Sequence, residues 1–156
     1  MVNVQTEILI RRPRSEVADY AGNPDNAPRW YENIHSAQRL TAGPIDVGSK
    51  VAFTAKFLGR DLSYTYEFVE YVPDEKVVMR TAQGPFPMQT TYTWEEVSGG
   101  TRMTLGNTGK PSGFSKLAGL LMAPMIRRET RKDLQNLKSI LEAGEATGTG
   151  QASHSA

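Results

Sequence analysis

Residues 61–97 read DLSYTYEFVEYVPDEKVVMRTAQGPFPMQTTYTWEEV, and the architecture of the chain can be worked out from this stretch. It contains three runs in which apolar and polar side chains alternate, at residues 61–72, 76–82 and 87–97. Alternation with a period of two is typical of strands that bury one face. The joints VPDEK and QGPFP contain turn residues and are too short for a crossover between parallel strands. The stretch therefore predicts antiparallel strands joined as a meander.

The same alternation continues on both sides of this stretch. Short joints again separate the runs, with the sequences GPIDVG, GRD and SGG. In a meander, successive hairpin tips alternate between the two ends of the sheet. We therefore expect the GRD tip, the QGPFP tip and the segment NTGKPSGF to lie at the same end. The additional runs bring the predicted sheet to seven strands, and they lie at residues 2–10, 36–42, 50–58 and 101–108.

Helical patterns occur in two places. Two short helical stretches, SEVADYA and DNAPRWYENI, follow the first strand and are separated by Gly22-Asn23-Pro24. A long helix is predicted from a cap at Ser112 to a stop at Gly144, with Leu134, Leu137 and Leu141 on one face. The tail after it lacks apolar residues. We therefore expect one folded domain at residues 1–143 and a disordered tail at residues 144–156.

Composition excludes several classes of protein. The 18 Lys and Arg residues nearly balance the 17 Asp and Glu residues, which gives no electrostatic reason to expect a nucleic-acid partner. The absence of cysteine excludes disulfides and thiolate metal sites. The first ten residues alternate instead of forming the apolar core of a signal peptide. We therefore expect a soluble, cytoplasmic protein. No cofactor is expected, because NTGKPSG lacks the spacing of a phosphate-binding loop.

A set of short motifs points to a known family. Together they cover roughly residues 2–142, and their order and spacing carry the resemblance more than any one of them does. The motifs are Asn23-Pro24, Arg29-Trp30, Val47-Gly48-Ser49, Glu70-Tyr71-Val72-Pro73, Gly84-Pro85-Phe86, Gly99-Gly100-Thr101-Arg102 and the closing DLQNLKSILE. With them the chain resembles the polyketide cyclase/dehydrase-like group of the START/Bet v 1 (SRPBCC) superfamily.

The resemblance implies an α+β helix-grip fold. In that fold a curved, seven-stranded antiparallel sheet wraps around a long C-terminal helix, and two short helices follow strand 1. It also implies an internal cavity that takes an apolar or amphipathic small molecule. The superfamily includes binders, lipid carriers and cyclases, so membership does not choose between binding and catalysis.

Candidate catalytic groups are few. His35 is the only histidine before the tail, and its neighbours in the sequence supply no obvious acid partner. One imidazole without further His or Cys ligands cannot form a typical zinc site, so no metal is expected. No GxSxG nucleophile motif is present. An exposed or packed histidine is the simpler interpretation of His35, and the catalytic residues stay unknown.

Aromatic residues on the strand faces provide the candidate binding site. Tyr64, Tyr66 and Phe68 share one face, and tyrosine hydroxyls need hydrogen-bond partners when buried. Packing of the sheet against the helix explains most such residues. A cavity with a few polar groups in apolar walls is nevertheless the usual form of a small-molecule site. The predicted ligand-binding residues are Trp30, Phe53, Tyr64, Tyr66, Phe86, Tyr92, Trp94, Leu117, Leu121 and Met125.

The QGPFP tip is predicted to shape the entrance of this cavity. Pro85 and Pro87 stiffen the tip because proline fixes φ. We expect Phe86 and Pro87 to form an apolar gate with Leu117 or Leu121 of the long helix. The alternative is an ordinary hairpin whose phenylalanine covers a local apolar patch.

Two functions are compatible with these observations. The first is binding, transport or sequestration of a hydrophobic or amphipathic molecule or lipid. The alternative is a polyketide cyclase or dehydratase that uses a cavity tyrosine or His35 for proton transfer. A basic group at residues 127–132 of the long helix is most simply a solvated face, but it would also suit peripheral contact with an anionic membrane. The ligand and the oligomeric state cannot be read from the sequence.

Overall fold

The computed structural model describes residues 2–57, 59–110 and 116–155, with the side chains of residues 116–121 and 145–155 outside the description. The described chain forms seven strands and three α-helices, in an order that confirms the predicted α+β helix-grip fold. The strands are β1 (Val2–Ile10), β2 (Ile34–Arg39), β3 (Lys50–Phe57), β4 (Arg60–Val72), β5 (Lys76–Gln83), β6 (Met88–Val97) and β7 (Gly100–Gly109). The helices are α1 (Arg14–Ala21), α2 (Ala27–Trp30) and α3 (Lys116–Ser155), with a 3-10 turn at Pro24–Asn26 before α2.

All seven strands belong to one antiparallel sheet. Its order is β1-β7-β6-β5-β4-β3-β2, so β2 to β7 form the predicted meander and β1 closes against β7. The segment that carries α1 and α2 therefore crosses from one edge of the sheet to the other. The pairing of β4 with β5 shifts register twice, between Thr65 and Tyr66 and between Phe68 and Glu70. Such bulges bend a strand and increase its twist, and they accompany the curl of the sheet.

The second strand begins earlier than the alternation predicts. The structure places β2 at Ile34–Arg39, whereas the sequence pattern indicates residues 36–42. A register shift between Ile34 and Ser36 explains the difference. His35 and Ser36 are both exposed because the bulge interrupts the alternation at this point.

The concave face of the sheet carries the main core. Val51, Phe68 and Met103, on three different strands, are fully buried there. Leu134 and Leu137 of α3 join the same cluster, which confirms the predicted apolar stripe of that helix. The tryptophan at the end of α2 also joins it.

Helix α3 lies along the edge strand β1. The hydroxyl of Thr6 donates to that of Thr130 over 3.2 Å. Further along, Lys138 Nζ donates to the carbonyl of Leu9 over 2.7 Å. The backbone N–H of Arg11 donates to a carboxylate oxygen of Glu142 over 2.9 Å. Contacts that hold the helix to the sheet therefore continue as far as Glu142.

The C-terminal end of α3 differs from the expectation. The helix continues past Gly144 to Ser155, so the predicted stop at Gly144 is wrong. A glycine inside a helix costs about 1 kcal/mol relative to alanine, which a long helix tolerates. The disorder expected of residues 144–156 stays a prediction, as does the boundary of the domain at residue 143. The predicted cap at Ser112 lies outside the described residues.

The QGPFP segment forms the connection between β5 and β6. Both prolines precede the first residue of β6, Met88, so neither occupies a ladder position that needs an N–H donor. The side chain of Thr81 takes the place of a backbone partner there, since its hydroxyl accepts from Met88 N over 2.7 Å and donates to Met88 O over 2.9 Å. Lys110 N donates to Pro87 O over 3.0 Å. The tip and the end of β7 thus lie together, as the meander predicts.

Two adjacent glycines at the β6–β7 hairpin allow a comparison of backbone strain with steric contact. Gly99 has φ of 87° and open space where a side chain would be. Gly100 has φ of 155°, and a Cβ atom there would lie 2.2 Å from Ile10 O. The backbone of β1 approaches Gly100 at the point where the chain turns into α1.

We expect Gly100→Ala to reduce the free energy of unfolding by about 1–3 kcal/mol more than Gly99→Ala does. Both variants place alanine at an unfavourable φ, but only Gly100→Ala forces Ile10 O away from β7. Urea denaturation of the two variants and the unaltered protein measures the difference. Equal losses in the two variants would show that the close approach to Ile10 carries no stability.

Candidate functional site

A cavity of about 540 Å³ lies between the concave face of the sheet and the N-terminal half of α3. This volume is within the range of small-molecule sites. Apolar side chains form much of its described wall, and they come from several strands, the β5–β6 tip and the helix. These residues are Val2, Ile34, Ala55, Phe57, Leu62, Phe86, Met88, Met125 and Ile126.

A line of neutral polar groups crosses this apolar wall. Thr90 Oγ1 donates to Asn107 Oδ1 over 3.2 Å and lies 2.9 Å from the hydroxyl of Tyr66. Since Thr90 has a single proton, and that proton points to Asn107, the Tyr66 hydroxyl donates to Thr90. The strands place these side chains together because all three point to the concave face of neighbouring or nearby strands. The line ends at the amide of Asn107 on the cavity wall.

A second pair of tyrosines lies beside this line. The hydroxyls of Tyr31 and Tyr92 are 2.5 Å apart. Tyr31 lines the main cavity, and both residues also line a small void of about 20 Å³ behind it. Trp30 packs against Tyr31 with ring centroids 4.0 Å apart, and Trp94 contacts Tyr92 at 5.9 Å. The two indole rings thus support the tyrosine pair from the core side.

Burial keeps these phenols protonated. Removal from water raises the pKa of Tyr66 to about 12, and the hydrogen bond with Thr90 opposes the shift only in part. Removal from water also raises the pKa of Tyr31, Tyr64 and Tyr92. All four groups are therefore neutral donors or acceptors at physiological pH.

Charged side chains lie only at the mouth of the cavity, as far as its described wall shows. They are Glu32, Lys56, Glu129 and Lys132. The carboxylate of Glu129 lies 3.7 Å from the ammonium of Lys132. The side chains of both lysines are more than half exposed, at 54% for Lys56 and 56% for Lys132. The rest of the described wall therefore contains neutral polar groups and no charged side chain.

Helix α3 holds the segment between α2 and β2 through two carboxylates and one amide. Asp133 Oδ1 accepts from the backbone N–H of Glu32 over 3.0 Å, and Glu129 accepts from Asn33 Nδ2 over 3.3 Å. Asn136 Nδ2 donates to the carbonyl of the last residue of α2 over 3.4 Å. Tyr31, Glu32 and Asn33 of this segment line the cavity, so these contacts position one side of its wall.

Asp133 is the buried acid of this contact, with 4% of its surface exposed. Burial raises its pKa to about 7, and the neighbouring carboxylates of Glu129 and Glu32 add to the effect. The hydrogen bond from Glu32 N and the charge of Lys132 oppose the shift without cancelling it. The carboxyl group thus changes its charge near neutral pH.

The structure distributes the predicted site residues over three locations. Tyr64, Tyr66, Phe86 and Met125 lie on the main cavity wall. Phe53 and Tyr92 line the small void behind the tyrosines. Trp30 and Trp94 pack in the core and lie on neither described wall. The side chains of Leu117 and Leu121 lie outside the described residues, so the gate predicted between them and Phe86 stays a prediction.

Sequence reasoning missed several wall residues, and some of them carried a recognisable signal. Thr90 and Asn107 occupy inward positions of otherwise apolar strand faces, where a polar residue needs a reason. Tyr31 directly follows a tryptophan, so the aromatic pair was a signal as well. Glu129 of the wall, and Asp133, which does not line it, gave no local signal because their partners lie about a hundred residues away.

His35 lies away from the cavity. It is exposed at the bulge of β2 and is absent from the described cavity wall. The described residues also contain no group of three His, Asp or Glu side chains that could hold a metal ion. In the same part of the chain, no helix has the length and apolar character needed to cross a membrane.

Comparison with known proteins places the chain among related folds. Residues 1–142 match the family model described as polyketide cyclase / dehydrase and lipid transport. No curated protein sequence matches the chain.

Many solved structures share the fold. A protein from Thermus thermophilus has a TM-score of 0.77 at 17% identity, covering 91% of this chain and 98% of its own. The Zhui aromatase/cyclase from a Streptomyces species has a TM-score of 0.75 at 13% identity, covering 90% and 93%. Major latex-like protein 151 from Panax ginseng has a TM-score of 0.66 at 11% identity, covering 88% and 95%. These similarities concern the fold.

The raised pKa of Asp133 predicts a pH-dependent loss of stability. In the unfolded chain the carboxyl ionises near pH 4, whereas in the folded protein it does so near pH 7. Between these values the folded state binds more protons, so the free energy of unfolding falls as pH rises, by at most about 1.4 kcal/mol per pH unit. Asp133→Asn keeps the acceptor for Glu32 N and removes the charge. We expect this variant to show a flatter dependence from pH 4 to pH 7.

Denaturant titrations at several pH values measure this slope. Asp61→Asn is the matched control, because the Asp61 side chain is 88% exposed and forms only a long contact with Lys56. The control should keep the slope of the unaltered protein. Parallel curves for Asp133→Asn and the unaltered protein would contradict the assignment.

Proposed function

The chain belongs to the polyketide cyclase/dehydrase and lipid transport family, and from that premise we propose that it binds a hydrophobic or amphipathic small molecule in the cavity beneath α3. The observation that carries the proposal is the cavity of about 540 Å³, with its apolar wall and its line of neutral polar groups. Apolar walls supply affinity because they release water, and the few polar groups fix the orientation of a ligand. Transport or sequestration of the bound molecule would follow from this binding.

The polar groups of the cavity support binding more strongly than acid–base catalysis. The raised pKa values of Tyr64 and Tyr66 keep both phenols protonated, so they can donate a hydrogen bond or act as weak acids at neutral pH. A cyclase also needs a base near the reacting carbon. The bases of the described wall are Glu32 and Glu129, and both lie at the mouth.

A cyclase or dehydratase activity is the second candidate. The close pair of Tyr31 and Tyr92 favours it, because one phenol can stabilise charge on the other while a proton moves. His35 contributes nothing to this candidate, since it is exposed at the bulge of β2 and away from the cavity. Loss of turnover of a poly-ketone substrate in Tyr31→Phe, with ligand affinity unchanged, would establish the activity.

Helix α3 also offers a basic surface. Arg128, Arg131 and Lys132 are exposed, and they line a surface depression with Glu32, Gln135 and Asn136. A cationic face attracts anionic lipid headgroups by about 1 kcal/mol per residue near the surface. Peripheral contact with an anionic membrane through this face is therefore part of the proposal, as a route by which a lipid would reach the cavity.

Filling the cavity should abolish binding. Ala55 points into the cavity from β3, and we expect Ala55→Trp to occupy part of the space and to weaken binding of Nile red by at least about tenfold. Ala52→Trp places the same side chain on the opposite face of β3 and is the matched control. Fluorescence titration measures the affinity, and native mass spectrometry of the purified protein detects any co-purified molecule.

Thermal unfolding of both variants checks that the fold is intact. If Ala55→Trp unfolds, Leu62→Phe on β4 offers a milder filling of the same wall. Equal Nile red affinity in the filled variant, the control and the unaltered protein would contradict a binding role for this cavity.

Reversing charge on α3 should prevent membrane contact. We expect Arg128→Glu with Arg131→Glu to abolish sedimentation of the protein with vesicles of mixed phosphatidylcholine and phosphatidylglycerol. Arg80→Glu with Arg102→Glu changes the same charge on the convex face of the sheet and should leave it unchanged. Sedimentation that is equally weak for all three proteins at low salt would rule out the membrane contact.

A further inference from the structure

Two polar groups of the cavity wall have no partner in the described protein. The amide of Asn107 accepts from Thr90 through Oδ1, and its Nδ2 group, with two N–H donors, makes no hydrogen bond with the described residues. The hydroxyl of Tyr64 likewise makes none with them, and burial and neighbouring tyrosines alone raise its pKa. Both residues line the cavity, and neither atom is among the fully enclosed unpaired side-chain atoms of the described residues, which are the two tryptophan nitrogens. Leaving a polar group unpaired in an apolar cavity is costly. Asn107 Nδ2 and the Tyr64 hydroxyl are therefore suited to form hydrogen bonds with an atom of a ligand.

The two groups are connected through two neighbouring side chains of the wall. Tyr64 lies next to Tyr66, with ring centroids 5.0 Å apart, and the Tyr66 hydroxyl leads through Thr90 to Asn107. Contacts with the ring of Phe53, at 5.5 Å, hold Tyr64 in place from the core side. The polar site therefore has a fixed position on the sheet.

The chemistry of this polar site favours an uncharged partner. Asn107 Nδ2 and the Tyr64 hydroxyl are donors, which an oxygen acceptor would satisfy. The cations of the described wall are Lys56 and Lys132 at the mouth, and both are more than half exposed. A carboxylate that reached the polar site would be buried without a counter-ion, which is strongly unfavourable. The raised pKa of Tyr64 reflects the same resistance to a negative charge.

We propose that the ligand is an uncharged amphiphile that enters with its oxygen first, so that a ketone, ester or alcohol oxygen accepts hydrogen bonds from Asn107 Nδ2 and the Tyr64 hydroxyl. Its apolar body lies against Phe57, Phe86 and Met125, which continue the wall towards the mouth. A fatty-acid anion of the same length binds more weakly, because its charge has to stay near the lysines. This inference rests on the proposed function and names the chemical class that the same cavity takes.

A competition experiment with nine-carbon compounds tests the inference. Nile red reports occupancy of the cavity, and 2-nonanone, nonanoate at pH 8 and nonane compete for it. We expect the ketone to displace Nile red at a concentration at least about tenfold lower than nonanoate does. We expect Asn107→Leu and Tyr64→Phe each to weaken binding of the ketone by roughly three- to tenfold, as the loss of one neutral hydrogen bond does. The affinity for nonane should be unchanged.

Tyr71→Phe is the matched control for Tyr64→Phe. Tyr71 lies on the same strand and packs against the core without lining the described cavity wall, so its hydroxyl should not affect the ketone. If Asn107→Leu does not fold, Tyr64→Phe and its control carry the test, and an unaltered ketone affinity in Tyr64→Phe overturns the inference.

The outcomes separate this inference from the proposed function. If nonanoate displaces Nile red as well as the ketone does, or if the ketone affinity is unchanged in the variants, the uncharged, oxygen-first ligand is overturned and the binding function is left intact. Failure of the unaltered protein to bind Nile red or any of the three competitors overturns the binding function itself.

Discussion

The attachment of α3 along β1 is the constraint on which the cavity depends. The hydrogen bond between Thr6 and Thr130 and the contact of Lys138 with Leu9 hold the helix at one edge of the sheet. The apolar stripe of the helix, which includes Leu134, then fills one part of the concave face. The bulges of β4 bend the sheet so that its remaining inward surface cannot meet the helix closely. An open volume beside the helix follows from this geometry.

Polarity within that volume has a cost in stability. Thr90 and Asn107 occupy inward positions where apolar residues would pack better, and the Nδ2 donors of Asn107 have no partner among the described residues. Proteins depart from the rules of core packing chiefly where function requires it. The hydrogen bonds from Tyr66 to Thr90 and on to Asn107 satisfy part of the set and fix its orientation. The donors that stay unpaired are available to a ligand. The loss of stability that these polar residues cause is therefore consistent with the proposed binding of a small molecule.

The segment before β2 connects the core with the mouth of the cavity. Trp30 is buried in the core, whereas its neighbour Tyr31 reaches the cavity. Asp133 binds the following backbone N–H from α3, although burial of its carboxyl group is unfavourable when it is ionised. A buried acid of this kind is weak evidence that the contact stabilises the fold. It is better evidence that the contact positions the segment before β2. The position of this part of the wall therefore depends on a contact between elements that are far apart in sequence.

Alternation and turn chemistry were sufficient to predict the seven strands, the meander and the long helix, because period and turn residues are local properties. They also predicted the inward aromatic faces of the strands. Only the tertiary structure decided which of the aromatic residues line the cavity, since Trp30 and Trp94 point to the concave side but are covered by the rest of the core. The bulge that exposes His35, and the contact of Asp133 with Glu32, likewise depend on pairing between distant segments. No local pattern in the chain encodes such pairing, because its free energy comes from packing against residues that the pattern does not contain.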